Sequence, residues 1–532
     1  MRRPPRRRHR MARWVAALVV LLTATSLAAG LLTTAASADT VVPVSGAGST
    51  WSQNAIDQWR RNVAQYGLTV NYQGTGSSDG RNQFRNGTVD FGVTEIPYGF
   101  KDNGVLDTAP TKAFAYMPIV AGGTSFMYNL TIAGHRVTNL RLSGDTLTKI
   151  FTGVITQWSD PAIKADNPGL ALPARKIVPV VRSDGSGTTA QFTLWMSKQH
   201  QSLWDAYCSK AGRQTPCDQT SNYPVIPGTG FTAQSGSLGV AGYVSQAQNV
   251  GTITYVEYSY ALNSGFPVAK LLNSSGYYVE PTADNVAVAL LKAQINTTPG
   301  VNYLTQILDG VYTNADRRTY PMSSYSYMIV PTATTSTFDA NKGKSLSSFA
   351  DYFLCEGQQS AGKLGYSPLP VNLVTAGLAQ VRRIPGAETK TIDIKSCNNP
   401  TLSAGGGNAL AKSAPYPPAC DKRGPTQCTT GTGGAAHTST VVTRSAAGGT
   451  TGTTTGATAG TSSAPTVDPE TGQLVSQQGS SGEAIAASPV SLSSSWGDSS
   501  TKTYAALAAV LLLFVGVGPP LLLRALRSRR PS

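Results

Sequence analysis

Three times in this chain an apolar run passes straight into a turn of Gly, Ser and Thr and then into a stretch of helical periodicity. The first spans Val41 to Trp51, VVPVSGAGSTW, followed by Ser52 to Gln65, where Ile56, Trp59 and Val63 recur at helical spacing. The second runs from Thr69 to Tyr72 into GTGSSDG at Gly74 to Gly80 and then a helix start at Arg81 to Asn86. The third runs from Lys176 to Val181 into RSDGSGTT at Arg182 to Thr189, with a helix expected over Gln191 to Ser197. A further strand, Val89 to Val93, ends at Thr94, Glu95, Ile96 and Pro97. Strands alternating with helices indicate an α/β fold. In open sheets of that class ligands collect outside the carboxyl ends of the strands, where such turns converge.

The chemistry of the third turn is that of an oxyanion site. A Gly/Ser/Thr turn opening a helix presents unpaired backbone N–H groups and hydroxyl donors, and the helix dipole adds positive potential. Arg182 supplies a planar fork of donors. Asp184 would repel an anion unless it pairs with the arginine and fixes its orientation. On this turn alone a polar turn with an N-capped helix explains the residues equally well. Glu95 as a solvated strand-end carboxylate, and Ser77 and Thr50 as helix caps, are the corresponding plain readings.

Elsewhere the pattern is that of a large α/β body. Ala113 to Leu130, AFAYMPIVAGGTSFMYNL, is long, apolar and interrupted by Pro118 and two glycines, which suits a chain crossing between lobes better than one strand. Ser143 is a candidate N-cap for Leu147 to Phe151. Gly251 to Tyr260 and Ser324 to Val330 read as strands, and Asp284 to Ile295 as a helix. Trp195, Trp204 and Tyr207 read as packing residues, and His135, His200 and His437 are scattered and take no role.

The formal net charge of +15 is concentrated at the two ends, in Arg2, Arg3, Arg6, Arg7, Arg8, Arg10 and Arg13 and in Arg524, Arg527, Arg529 and Arg530. That distribution excludes a nucleic-acid surface and fits membrane signals. The first cluster precedes the apolar run Trp14 to Leu32 and the small-residue site Ala36-Ser37-Ala38, so residues 1–38 are expected to be a signal peptide. The second follows Tyr504 to Leu523, long enough to span a bilayer, so 504–523 is expected as a transmembrane helix, 524–532 as a cytoplasmic basic tail, and 39–503 outside the cell. Pro519 and Pro520 leave a buried hydrophobic hairpin as the alternative. Residues 401–503 are rich in Ser, Thr, Gly and Ala and read as a flexible linker, which as a coil of ~100 residues would span about 50–60 Å. That leaves residues 39–400 as the solute-binding head. The six cysteines suit an oxidising compartment; several connectivities are open, and proximity favours Cys208 with Cys217, Cys355 with Cys397 and Cys420 with Cys428. Their spacing does not resemble a zinc site, and neither metal nor cofactor is expected.

Taken together, GAGST at Gly46 to Thr50, NYQGTGSS at Asn71 to Ser78, VDFGVTEIP at Val89 to Pro97, WSDPAI at Trp158 to Ile163, NPGLALP at Asn167 to Pro173, RSDGSGTT and GTITYVEYSYA at Gly251 to Ala261 follow one order. In this the chain resembles the PstS family of phosphate-binding proteins of bacterial phosphate ABC transporters, over residues 44–385. The resemblance implies a two-lobed periplasmic-binding-protein fold (type II) with the ligand in the cleft. It implies anion donors at Thr50 and the backbone of Trp51, at Ser77, and at Arg182, Ser186, Gly187 and Thr188, with Asp184 holding Arg182. The family's acidic acceptor, usually an aspartate, falls on Glu95, whose longer side chain has to retract or widen the pocket. Such a carboxylate accepts the proton that phosphate still carries near neutral pH and sulfate lacks.

The function implied is a non-enzymatic, membrane-tethered receptor handing inorganic phosphate to ABC permease subunits. The open alternatives are a receptor for another oxyanion, an adhesion or sensing protein on the same fold, and a secreted phosphatase. Against the last, the chain has no clustered metal ligands and no P-loop.

Overall fold

A computed structural model describes residues 41–388, 392–403 and 407–440. The expected signal peptide, the linker beyond residue 440, the transmembrane segment at 504–523 and the basic tail lie outside the described residues. Among the described residues no helix is long and apolar enough to cross a membrane.

The first lobe starts with β1 (Val44–Gly48), helix α1 (Gln53–Ala64), β2 (Val70–Gln73), α2 (Ser77–Asn86) and β3 (Phe91–Thr94). A short hairpin, β4 (Lys101–Asp102) and β5 (Val105–Leu106), leads into β6 (Phe114–Tyr128). The second lobe contributes α3 (Gly144–Phe151), β7 (Val178–Arg182), α4 (Gly187–Gln199), β8 (Thr232–Gln234), α5 (Gly236–Val244), β9 (Thr252–Glu257) and α6 (Tyr258–Asn263). The chain then returns through β10 (Ser323–Pro331) to the first lobe. The main sheet runs β8-β7-β9-β6-β10-β3-β1-β2. Within each lobe the outer strands are parallel, as βαβ connections require.

The long apolar stretch does cross between lobes, but as one continuous strand. Residues Phe114 to Gly123 of β6 pair antiparallel with β10, and Thr124 to Tyr128 pair antiparallel with β9. The expected strand from Gly251 ends at Glu257 because that carboxylate accepts the Ser259 N–H at 2.7 Å and caps α6. Ser143 caps α3 as expected, accepting from Thr146 N. The helix expected over Asp284 to Ile295 is shorter, Ala283–Leu290.

Behind α4 the second lobe closes on an aromatic cluster. Phe192 packs against Phe126, Phe151 and Tyr255 with ring centroids 5.1, 5.1 and 5.2 Å away. Each such pair adds about 0.5–1.5 kcal/mol beyond area burial, so the helix that opens with the Gly-Thr-Thr turn sits on a rigid floor. Trp204 stacks on Tyr207, both buried, as the packing reading expected. The three disulfides are Cys208–Cys217, Cys355–Cys397 and Cys420–Cys428.

One expectation is corrected. Residues 401–403 and 407–440, assigned by composition to the flexible linker, are folded onto the body. Thr401 Oγ1 donates to Leu369 O at 2.9 Å, Asn408 caps a helix at Ala409–Ser413, and Asn139 Nδ2 donates to Cys428 O at 2.6 Å. Thr138 and Thr440 hydroxyls lie 3.0 Å apart. The segment has little apolar surface to bury, so backbone and hydroxyl hydrogen bonds, the Cys420–Cys428 disulfide and an ion pair hold it instead. That pair is Lys270 Nζ to Asp421 Oδ2 at 2.6 Å, with side chains 11% and 4% exposed. Removing one partner strands the other charge, so Asp421→Ala should destabilise the protein by about 3–5 kcal/mol, whereas Lys270→Met with Asp421→Leu should cost much less. Urea unfolding of the three proteins checks this; equal losses would contradict it.

Candidate functional site

The carboxyl ends of β1, β3 and β7 and the N-termini of α2, α4 and α5 converge where the lobes meet. On the first-lobe side the centre is Glu95, directly after β3 and buried. Ser49 Oγ lies 2.7 and 2.8 Å from its two oxygens, Ser77 Oγ donates to Oε2 at 2.8 Å, and Ser326 Oγ donates to Oε1 at 2.7 Å. Burial pushes the Glu95 carboxyl up from its ordinary range, and the hydroxyls of Ser49, Ser326 and Ser77 together with the Arg182 charge partly offset that.

The second-lobe side is built on the third turn. Arg182 ends β7 and is buried; its Nε donates to Asp184 Oδ1 at 2.7 Å and its Nη2 is paired with Asp184 Oδ2. Gly236 N also donates to Asp184 Oδ1, at 2.9 Å. Burial alone would raise the Asp184 carboxyl, but Arg182 and the Gly236 amide outweigh it and hold the group below its usual range. Ser186 is the N-cap of α4: its Oγ accepts from Thr189 N at 3.1 Å, and its N–H donates to Ser221 O. Gly187 and Thr188 follow in the first turn, whose N–H groups have no acceptor within the helix. The Thr188 hydroxyl is buried without a hydrogen-bond partner.

The residues singled out in the sequence are therefore brought together, with one difference. Trp51 turns its side chain away, edge-on to Tyr366 at 5.8 Å, and its backbone N–H, expected to face a ligand, donates to Ser49 Oγ at 3.0 Å. Thr50 stays at the cleft, its Oγ1 2.8 Å from Ser237 Oγ. Three serines escaped the sequence reading. Ser49 lies within the first motif, beside Thr50; Ser326 comes from a buried strand far along the chain; Ser237 is the second residue of α5, which follows a short strand and a Gln-Ser-Gly sequence, a fourth instance of the strand–turn–helix pattern.

Several bonds cross between lobes around this centre. Ser78 N donates to Gly185 O at 3.0 Å and Gln191 Nε2 to Glu95 O at 2.9 Å. At the rim, Asp102 of the β4–β5 hairpin pairs with Arg213 and accepts from Thr220 Oγ1 at 2.9 Å. No group of three or more His, Cys, Asp or Glu side chains among the described residues is arranged to hold a metal.

The position of Ser77 depends on how closely α2 approaches β1. A Cβ on Gly80 would lie 2.3 Å from Gly48 Cα and 2.5 Å from the Ala47 carbonyl oxygen. Alanine at a helix interior gains about 0.5–1 kcal/mol over glycine, but overpacking against backbone costs typically about 1–3 kcal/mol. Gly80→Ala should therefore be net destabilising in urea unfolding despite its better helix propensity; a neutral or stabilising result would contradict the packing.

Residues 33–356 match the profile of the PBP superfamily domain. The phosphate-binding protein PstS of Xylella fastidiosa is 35% identical over 335 residues, which is 63% of this chain and 83% of that protein. The phosphate-binding protein PstS of Pasteurella multocida is 30% identical over 360 residues, 66% of this chain and 93% of that protein. Among solved structures, a high-affinity periplasmic phosphate-binding protein (PfluDING) bound with phosphate aligns with TM-score 0.48 and 17% identity, over 66% of this chain and 100% of that one. With more than half of its length matching the superfamily profile, and these relatives covered over most of their own length, the chain belongs to the PBP superfamily and, within it, to the PstS phosphate-binding proteins.

Proposed function

We propose that this protein is an exported receptor that captures inorganic phosphate in the cleft and delivers it to an ABC permease. The observation that carries the reading is a buried carboxylate, Glu95, set among oxyanion donors: Arg182, the first turn of α4 with the unpartnered Thr188 hydroxyl, Ser77 and Thr50. In this reading Arg182, Thr50, Ser186, Gly187 and Thr188 donate to phosphate oxygens, Ser77 turns its proton from Glu95 to the ligand when phosphate binds, Asp184 fixes Arg182, and Glu95 accepts the phosphate proton. Trp51 serves by packing. The relatives are solute-binding proteins, and the chain is read as a receptor, not an enzyme.

Selectivity follows from the protonation of Glu95. An ionised Glu95 accepts from a protonated phosphate and opposes sulfate, which has no proton to give. Because burial raises the Glu95 carboxyl, its neutral fraction grows as pH falls through that raised value, and a neutral carboxyl can donate to sulfate. Calorimetry should show phosphate bound far more tightly than sulfate at neutral pH. A charge-assisted hydrogen bond contributes about 1.5–3 kcal/mol, so the gap should narrow by roughly tenfold or more toward acid pH and in Glu95→Gln at neutral pH. Equal affinities in the wild type at neutral pH would remove phosphate as the ligand.

The sequence supports attachment to the outer face of the membrane through 504–523. A chain ending at Thr440 should then appear in the medium, while the full chain stays with the membrane fraction, as read by immunoblot; membrane retention of the truncated chain would contradict the anchor.

A further inference from the structure

Ser237 joins the two walls of the cleft. It is the second residue of α5, fully buried, with its Oγ 2.8 Å from Thr50 Oγ1 of the opposite lobe and 3.3 Å from Arg182 Nη1. Its backbone N–H also donates to Thr50 Oγ1, at 3.2 Å. Thr50 is fixed from a second side as well, since the Tyr260 hydroxyl donates to its carbonyl.

The protons of this group can be followed. Arginine carries no acceptor, so Ser237 Oγ takes a hydrogen from Arg182. The bond between the two hydroxyls can run either way. If Thr50 donates to Ser237, its only proton is used inside the protein. If Ser237 donates to Thr50, both lone pairs of Thr50 Oγ1 are filled, one by the Ser237 N–H and one by the Ser237 O–H. The Thr50 proton then has nowhere to point but the cleft. An oxyanion there selects the second arrangement, because it accepts that proton and the first arrangement leaves it facing a lone pair.

We infer that Ser237 is a positioning residue for anion capture, which fills both lone pairs of Thr50 Oγ1 across the cleft so that this hydroxyl donates to the bound oxyanion. The inference rests on the proposed phosphate reading. Since Thr50 belongs to one lobe and Ser237 and Arg182 to the other, the arrangement exists only while the lobes meet. It therefore acts after encounter, on the release of ligand.

The test is a double-mutant cycle on the full-length protein with inorganic phosphate, using Thr50→Val, Ser237→Ala and the two combined, with association and dissociation rates from stopped-flow fluorescence. Ser237→Ala should raise the dissociation rate about tenfold and leave the association rate unchanged. The double variant should bind no more weakly than Thr50→Val alone, because Ser237 acts through Thr50. Additive losses, or an unchanged dissociation rate in Ser237→Ala, would overturn the inference while leaving phosphate binding intact. A fall in the unfolding midpoint of the unliganded Ser237→Ala protein, with both rates altered, would make the residue merely structural. Should Ser237→Ala not fold, Ser237→Cys keeps the side chain's shape with a poorer donor and acceptor, and the same non-additivity is expected of it. A wild-type protein that takes up no phosphate sinks the inference together with the reading beneath it.

Discussion

Both lobes hang on one strand. β6 gives its first part to the sheet of one lobe and its last part to the other, so the two walls of the cleft are referenced to a single backbone. Pro118 lies in the first part and has no N–H to contribute to the ladder. Opposite it the register with β10 slips between Ser326 and Tyr327. Bulges bend a strand and re-aim its side chains; the extra residue of this one is Ile119 of β6, and it lies opposite Ser326, whose hydroxyl reaches Glu95. The strand that joins the lobes thus also helps to place the carboxylate at their junction.

The electrostatics of the junction are not those of a basic pocket. The Arg182 charge is already matched by Asp184, and Glu95 adds a negative charge when ionised. What favours an anion is the set of oriented dipoles: first-turn amides of α4, the N-termini of α2 and α5, and hydroxyls with protons to give. A helix terminus carries about half an elementary charge, and its effect is strongest where water is excluded. The same hydroxyls let Glu95 exist there. Burying a carboxylate costs several kcal/mol, while three hydrogen bonds to it return about 1.5–3 kcal/mol each. The hydrogen bonds offset only part of the burial cost, and the carboxyl stays raised.

How much of this was legible depended on whether a residue's partners were local. The turns after β1 and β7 and the Arg182–Asp184 pair are short-range features with compositional signatures, and they stood in the sequence, whereas α2 begins at Ser77, earlier than the Arg81 start its composition suggested. Ser237 carried the same signature at a shorter strand and could have been read from it. Ser326 could not, because it meets Glu95 only through the pairing of β10 with β3, strands far apart in sequence. The backbone of Trp51 gives its N–H to the nearby Ser49 hydroxyl, a contact that residue types alone do not specify. Composition misled at 401–403 and 407–440. Poverty in large apolar residues argues against a hydrophobic core, but not against docking by hydrogen bonds, a disulfide and a buried ion pair.

The longer side chain of Glu95 could be fitted either by widening the pocket or by drawing the carboxylate back. The positions of its neighbours show a third solution, in which the carboxylate reaches across to a wall that carries no side chain. Its two oxygens are drawn to Ser49, Ser77 and Ser326, all of the first lobe. The opposite wall has not receded: a Cβ on Gly187 would lie 1.8 Å from Glu95 Oε2 and 2.4 Å from Ser77 Oγ. Glycine at that position is therefore required by the approach of the two lobes as much as by the exposure of its amide. Glu95 and Gly187 form one fitted pair, in which the extra methylene on one side is tolerated because the other side carries no side chain at all.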